Sequence, residues 1–177
     1  MIDIHCHILP DVDDGAKTIE DTLAMARAAV DQGISTIIAT PHLNKDYENS
    51  KPLILRTATE VNKALDAANI PLTILPGQEI RIYGEILTDY HQQEILPMVG
   101  SDYLLIELPS GHVPRYTERM LYDLQLAGFI PIIAHPERNR EIIQHPDILY
   151  QLVKKGALTQ LTGASVCGAF GKKIKAF

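Results

Sequence analysis

Two histidines, His5 and His7, stand one residue apart near the start of the chain. The apolar residues around them predict a short β-strand at 2–7, and side chains two residues apart in a strand point to the same face. Both imidazoles can therefore reach one ion, and imidazole binds Zn, Fe, Mn and Co ions. An HxH pair alone is weak evidence, so a metal site depends on what else the chain brings near it.

Polar residues also stand at the ends of four later predicted strands. They are His42, Glu79, Glu107 and His135. Glu107 is unusual because apolar residues flank it, and a buried carboxylate needs a partner or a metal. In a parallel barrel the C-terminal ends of all strands share one rim, so these residues are expected to converge with the HxH pair.

Three aspartates, Asp11, Asp13 and Asp14, follow the first predicted strand. Aspartate is common in turns, and each of the three could be a turn former only. Of the three, we predict Asp14 as a metal ligand. Two or more divalent ions held close together can activate water and stabilise both the attacking and the leaving oxygen of a phosphoryl transfer. The sequence therefore predicts a multinuclear centre that hydrolyses a phosphate ester.

Strand-like and helix-like segments alternate along the whole chain. Strands are predicted at 2–7, 34–40, 72–79, 103–108, 129–134 and 157–161, and helices at 18–33, 52–68, 86–94, 114–127, 148–154 and within 168–175. Thr18 and Asp21 have the spacing of a capping box. This alternation predicts an α/β fold with a parallel sheet. A barrel is favoured, because a doubly wound sheet usually has a glycine-rich loop where this chain has His5-Cys6-His7.

Composition narrows the class of protein. The chain has 177 residues, a net charge of −6 and two cysteines, which suits a single domain without a disulfide framework. The acidic balance makes nucleic acid an unsuitable partner. No apolar run approaches the roughly 18 residues that a membrane span requires. We expect a cytoplasmic protein that is not embedded in a membrane.

Six short segments together carry a family resemblance. They are MIDIHCH at 1–7, DVDDG at 11–15, ATPH at 39–42, GQE at 77–79, IE at 106–107 and AHPER at 134–138. In this order they resemble the PHP (polymerase and histidinol phosphatase) superfamily, and more closely its bacterial protein-tyrosine phosphatases of capsule and exopolysaccharide synthesis. Segments 77–84 and 135–140 are particularly similar to the Bacillus member of that group.

The resemblance implies a distorted TIM-like barrel of seven βα units that carries two or three ions, usually manganese. It implies that His5 and His7 hold one ion, and that Glu79 bridges it to a second ion completed by Glu107 and His135. A third ion would take Asp14 and His42. Arg138 would clamp the phosphate, since a guanidinium fork matches phosphate oxygens, and Arg138 and His42 are the expected catalytic residues.

The resemblance implies several dozen further residues with a seventh strand that ends in an Asp-x-His pair, and this chain has no such pair near Phe177. We therefore expect a C-terminally truncated phosphatase domain, 1–177, that lacks the seventh strand and the C-terminal helices. An open barrel seam would expose strand edges, so a homo-oligomer that covers the seam is expected.

The expected substrate is phosphotyrosine on a bacterial tyrosine kinase or on that kinase's substrates. A tyrosyl leaving group, with a pKa near ~10, needs little protonation, which favours aryl phosphates. A cysteine-based phosphatase needs an arginine six residues after its thiol, and Cys6 and Cys167 are followed there by Val12 and Lys173. Two rival interpretations are a histidinol-phosphatase type of small-molecule phosphatase and a catalytically impaired fragment that binds phosphotyrosine without hydrolysing it.

Overall fold

The computed structural model describes residues 1–99 and 101–176 as a mixed α/β chain with two compact units. The first unit comprises Met1–Ile80 and Ile86–Ser101, and the second comprises Arg81–Glu85 and the chain from Asp102 onwards. The predicted α/β class is confirmed. That the chain forms a single domain stays a prediction. Within the described residues, every helix is too short or too polar to cross a membrane.

The strands before residue 82 lie in the first unit, apart from Arg81 at the end of the last strand. They are β1 (Ile2–Cys6), β2 (Thr36–Ala39), β3 (His42–Asn44), β4 (Tyr47–Glu48), β5 (Thr73–Pro76) and β6 (Glu79–Arg81). Its helices are α1 (Ile19–Asp31), α2 (Lys51–Ala67) and α3 (Ile86–His91). Strands β1, β2 and β5 form a parallel sheet in that order, as the alternation of strands and helices predicts.

Helix α1 begins as its sequence predicts. The Thr18 hydroxyl accepts a hydrogen bond from the Asp21 backbone N–H at 3.2 Å, and the Asp21 carboxylate accepts one from the Thr18 N–H at 3.0 Å. This capping box satisfies two backbone donors that the first helical turn leaves without partners. Helix α2 begins with Pro52 in its first turn, where the missing N–H costs nothing.

Aliphatic side chains from the sheet and both long helices form the core of the first unit. The largest fully buried members include Ile8, Leu9, Ile37, Ile54, Leu65 and Ile74. Burial of each such side chain contributes about 1.5–3 kcal/mol. The loop that follows β1 is therefore anchored directly by Ile8 and Leu9, next to the HxH pair.

The strand predicted at 72–79 is wrong in detail, and the difference changes where two candidate ligands lie in their strands. Segment 72–79 is two strands, β5 and β6, and a short hairpin of β3 and β4 follows β2. His42 and Glu79 consequently begin strands instead of ending them. At the break the chain changes its partner from β2 to β3, and Gly77 lies so close to β2 that a Cβ there would be 3.0 Å from the Ile38 Cγ2 atom. Parallel pairing of β3 with β6 then sets His42 opposite Glu79.

Three strands of the second unit are parallel to one another. Strands β7 (Tyr103–Glu107), β8 (Ile130–Ala134) and β9 (Leu158–Gln160) are hydrogen-bonded in that order. The helices are α4 (Thr117–Leu126), α5 (Arg140–Gln144), α6 (Asp147–Lys154), α7 (Gly163–Cys167) and α8 (Lys172–Ala176), with a 3-10 turn at Pro136–Arg138. Leu104, Leu105 and Leu124 lie in its core.

Three short helices of the second unit depart from the prediction. Helices α5 and α7 were not predicted, because five residues each are too few to show helical periodicity. The predicted helix within 168–175 begins only at Lys172, since Gly168 and Gly171 have φ values of +87° and +93°. Such left-handed residues end a helix and do not continue one.

Candidate metal centre

The HxH pair meets one buried carboxylate oxygen. His5 lies within β1 and His7 directly after it, and their side chains point to the same side. The Nε2 atoms of both rings lie 3.2 Å from Oε2 of Glu79. Glu79 has no exposed surface, so this contact takes place in a medium that screens charge weakly.

A third imidazole reaches the same oxygen. The parallel register of β3 and β6 places His42 beside Glu79, and His42 Nδ1 lies 3.1 Å from Glu79 Oε2. One carboxylate oxygen therefore has three imidazole nitrogens within 3.2 Å. The potential ligand atoms of His5, His7 and Glu79 all lie within 4.8 Å of one another, which is close enough for one ion to contact all three.

Asp14 extends the group on its exposed side. Its carboxylate is 66% exposed, and Oδ1 lies 3.5 Å from His42 Nε2 and 4.0 Å from His7 Nδ1. His7, Asp14 and His42 thus form a second set of potential ligands within 4.8 Å. The structure brings together all five ligands predicted in this unit, although whether they bind metal stays a prediction.

Asp13 is a residue of this site that sequence reasoning missed. Its side chain is buried, in contrast to that of Asp14. Oδ2 lies 2.6 Å from His7 Nδ1 and accepts a hydrogen bond from the His42 backbone N–H at 3.0 Å, and Oδ1 accepts one from the Gly15 N–H at 2.9 Å. The sequence offers Asp13 and Asp14 equally, because the two are neighbours in a turn and a one-residue difference there carries no burial signal.

Gly15 allows this loop to fold back onto the HxH pair. A Cβ built on Gly15 would lie 2.1 Å from the His7 carbonyl oxygen and 2.4 Å from the His7 Cβ. The Ala16 N–H donates to that same carbonyl at 3.1 Å. Only a residue without a side chain fits at this distance, so Gly15 sets the approach of the Asp13 loop to His7.

Two buried amides support the loops around His42 and Glu79. Asn49 Nδ2 donates to the carbonyls of Val12 at 2.9 Å and His42 at 2.8 Å. Gln78 Nε2 donates to the Asn49 carbonyl at 2.9 Å. Each satisfied buried amide restrains the backbone that it contacts, which keeps the ligand-bearing loops in one arrangement.

The carboxylates change the protonation of His7. Burial alone would lower its pKa, but hydrogen bonds to Asp13 and Glu79 outweigh burial and raise the pKa from 6.5 to about 10. Burial would raise the pKa of Asp13, yet the hydrogen bonds from His7 and the Gly15 N–H hold it below its usual value of 3.8. The site therefore concentrates negative charge that favours cations, whether protons or metal ions.

Cys6 does not have the properties of a nucleophile. Burial, with smaller contributions from Asp3 and Asp13, raises the pKa of its thiol to about 12. A reactive cysteine needs the opposite shift, because only the thiolate attacks. Cys6 packs against the core of the first unit.

The remaining predicted site residues lie in the second unit. Glu107 is the last residue of β7, and His135 follows β8 with a left-handed φ of +31°. Both line a cavity of about 150 Å³ together with Arg138, whose side chain is the predicted phosphate clamp. A left-handed histidine is uncommon and costs roughly 1–3 kcal/mol, so the surrounding structure must hold it in place.

Arg81 is a second residue that sequence reasoning missed. Its Nε donates to Glu107 Oε2 at 2.8 Å, which offsets the charge of this carboxylate. Asn139 holds the segment that carries Arg138, since its Nδ2 donates to the carbonyls of Pro109 at 2.7 Å and His112 at 3.0 Å. Neither role has a local sequence signal, because each depends on a partner about 26–30 residues away.

The chain is similar to known proteins over its whole length. A family model described as "Capsular polysaccharide synthesis, CpsB/CapC" matches residues 1–177. The tyrosine-protein phosphatase YwqE of Bacillus subtilis (strain 168) is 57% identical over 100% of this chain and 70% of its own length. The tyrosine-protein phosphatase CpsB of Streptococcus pneumoniae is 32% identical over 99% of this chain and 73% of its own.

A solved structure has the same fold. It comes from crystal structures of B. subtilis YwqE and S. pneumoniae CpsB that describe these proteins as metal-dependent tyrosine phosphatases. The match has a TM-score of 0.98 and covers 100% of this chain and 72% of the other. The family model matches residues 1–177, and these comparisons do not bear out the expected C-terminal truncation.

Proposed function

Because the chain belongs to the CpsB/CapC family of capsular polysaccharide synthesis, we propose that it is a metal-dependent protein-tyrosine phosphatase. The relatives from Bacillus and Streptococcus carry the name tyrosine-protein phosphatase. The substrate of this chain is a phosphotyrosine protein. More specifically, we propose that this substrate is a bacterial tyrosine kinase, or a substrate of that kinase. Its dephosphorylation would serve the control of capsule or exopolysaccharide synthesis.

One observation carries the proposal. Three imidazole nitrogens lie within 3.2 Å of a single buried oxygen of Glu79. A carboxylate and imidazoles are the donors that Mn, Fe, Zn and Co accept, and such a group suits a divalent ion better than it suits a single ion pair. Manganese is the proposed ion, with iron, zinc or cobalt as chemically acceptable replacements.

The ligands divide among more than one ion. We assign His5, His7 and Glu79 to one ion, and Asp14 with His42 to another. Glu107 and His135 are proposed to bind metal as well. When bound, divalent ions activate the attacking water and offset the charge of the phosphate.

Arg138 has a different role from that of the ligands. Its exposed guanidinium is proposed to bind two phosphate oxygens in the fork geometry that arginine favours. The guanidinium lies 5.2 Å from the centre of the Phe170 ring, a cation–π contact that limits its rotation. Phe170 thus helps to hold Arg138 ready for the phosphate.

The finer architecture is also proposed. Parallel strands within each unit support a distorted PHP-type barrel, and we propose that the chain forms a single phosphatase domain of this kind. The cytoplasmic location and a homo-oligomer that covers a barrel seam stay predictions.

The test is manganese-dependent hydrolysis by the purified 177-residue protein. We expect turnover of p-nitrophenyl phosphate with added Mn²⁺, its loss in His42→Ala, and wild-type rates in His91→Ala. His91 is an exposed histidine at the end of α3 and serves as the matched control. Equal activity of His42→Ala and wild type would contradict the metal assignment.

A second measurement identifies the substrate class. A phosphotyrosine peptide and histidinol phosphate are compared at the same Mn²⁺ concentration, and the larger kcat/KM is expected for the peptide. The reverse order would favour a small-molecule phosphatase. Phosphotyrosine binding without any turnover would show that the chain is a catalytically impaired fragment.

A further inference from the structure

We propose that Asp13 is a positioning residue: it keeps the proton of His7 on Nδ1 and thereby commits His7 Nε2 to the ion shared with His5 and Glu79. The inference rests on the metal site of the proposed function. It adds a role for a residue that is not itself a ligand, and it decides which of two candidate ions His7 serves.

The contact between Asp13 and His7 is short and buried. His7 Nδ1 lies 2.6 Å from Asp13 Oδ2, and the Asp13 side chain has no exposed surface. The same carboxylate accepts the backbone N–H groups of Gly15 and His42. A carboxylate that accepts from two N–H groups acts as an acceptor toward its third partner too, so the proton lies on His7 Nδ1.

That proton decides the chemistry of the ring. A neutral imidazole has one donor nitrogen and one acceptor nitrogen, and only the acceptor can bind a metal. With Nδ1 donating to Asp13, Nε2 is the nitrogen that gives up its proton to bind an ion, and it lies 3.2 Å from Glu79 Oε2, a candidate ligand atom of the same ion. A carboxylate that orients a metal-binding histidine in this way typically changes metal affinity by about 10- to 100-fold.

The alternative ligand set uses the opposite nitrogen. His7 approaches Asp14 through Nδ1, at 4.0 Å, and this nitrogen is already occupied by Asp13. His7 is therefore excluded from an ion held by Asp14 and His42. Two adjacent aspartates thus have separate tasks, one as a buried support for His7 and the other as an exposed candidate ligand.

The loop is built to keep Asp13 in place. Lys17 Nζ donates to the Asp13 carbonyl at 2.6 Å, and the Asp11 N–H donates to the Ala16 carbonyl at 3.0 Å. Gly15 lies against the backbone of His7 with no room for a side chain. The Asp13 carboxylate consequently has little freedom to leave His7.

The first arm of the test measures the tautomer directly in wild-type protein. Zinc is the probe because it is diamagnetic, and ¹⁵N NMR of labelled histidine reports which ring nitrogen binds it. We expect His7 to bind zinc through Nε2 while Nδ1 stays protonated. Zinc on His7 Nδ1 would overturn the inference, whether or not any variant folds.

The second arm removes the acceptor. Asp13→Asn has one acceptor oxygen for three donors, so at least one donor loses its partner. Zinc titration followed at the His5 resonance is expected to show affinity about 10- to 100-fold weaker than wild type. Asp11→Asn is the matched control, since it removes the same charge from an exposed residue of the same loop, where asparagine tolerates the φ of +57°.

A double-mutant cycle separates positioning from general damage to the fold. If Asp13 acts through His7, Asp13→Asn adds no further loss of zinc affinity at His5 in a His7→Gln background. A loss that persists there would refute the role. If the wild-type His5 resonance does not respond to zinc, the metal site and the proposed function fail together. If it responds with equal affinity in wild type and Asp13→Asn, only this inference fails.

Discussion

Replacement of Gly15 by alanine tests the geometry of the site through stability alone. The new Cβ would lie 2.1 Å from the His7 carbonyl oxygen, while Cβ atoms in proteins essentially never approach within 3.0 Å. The loop must therefore retreat by roughly 0.9 Å from β1. The obstructing atoms belong to the backbone and the Cβ of His7, so no flexible side chain can move aside.

The magnitude follows from two effects. Overpacking of this kind costs about 1–3 kcal/mol. The hydrogen bond from the Ala16 N–H to the His7 carbonyl, 3.1 Å long, is also stretched, at about 0.5–1.5 kcal/mol. We expect a loss of about 3 kcal/mol in the free energy of unfolding, which lowers the Tm by roughly 6–12 °C for a chain of this size.

The assay is thermal and urea unfolding of the metal-chelated protein, followed by circular dichroism. Gly111→Ala is the matched control, because a Cβ there meets nothing within 4 Å and the backbone φ is not left-handed. The control should stay within about 0.5 kcal/mol of wild type. If Gly15→Ala is as stable as the control, the loop does not lie against His7 as described, and the positioning argument for Asp13 loses its support.

Three further predictions follow from individual side chains. The pKa of His7 is raised from 6.5 to about 10, so its contribution to stability is complete below pH 6.5 and is lost as the pH rises through about 10. Urea unfolding of metal-chelated protein should show this decline in stability. In a separate titration, zinc affinity should increase over the same pH range. Stability that does not change with pH would contradict the raised pKa of His7. The thiol of Cys6, with a pKa of about 12, should resist iodoacetamide at pH 8 while the exposed Cys167 reacts, as peptide mass spectrometry can show. Arg138→Ala should lower kcat/KM for p-nitrophenyl phosphate by about 100-fold, whereas Arg140→Ala, which also removes an exposed arginine, should not.

Much of the candidate site was accessible from residue types and spacing. His5 and His7 share a face because a strand has a period of two. Glu107 was recognisable as a carboxylate in an apolar strand, and the structure places it beside the cavity that His135 and Arg138 also line. These signals depend only on neighbouring residues, so they can be recognised from the sequence alone.

Among the helices and strands, too, features with a local sequence signal were predicted and those that depend on distant segments were not. The capping box of α1 was predicted correctly because Thr18 and Asp21 recognise each other over three residues. The hairpin of β3 and β4 and the break at Gly77 were not predicted. The break reflects a change of pairing partner, since β5 pairs with β2 and β6 pairs with β3, and residues 72–79 alone do not show which distant segment each half joins.

The sequence by itself determined the donor types, the alternation of strands and helices, and the family to which the chain belongs. Tertiary structure alone decided that His42 faces Glu79 through strand register, and that Asp13 is buried while Asp14 is exposed. The physical reason is that burial and hydrogen-bond partners are properties of distant segments brought together. Two neighbouring aspartates with the same local chemistry acquire different roles only when the loop folds onto His7.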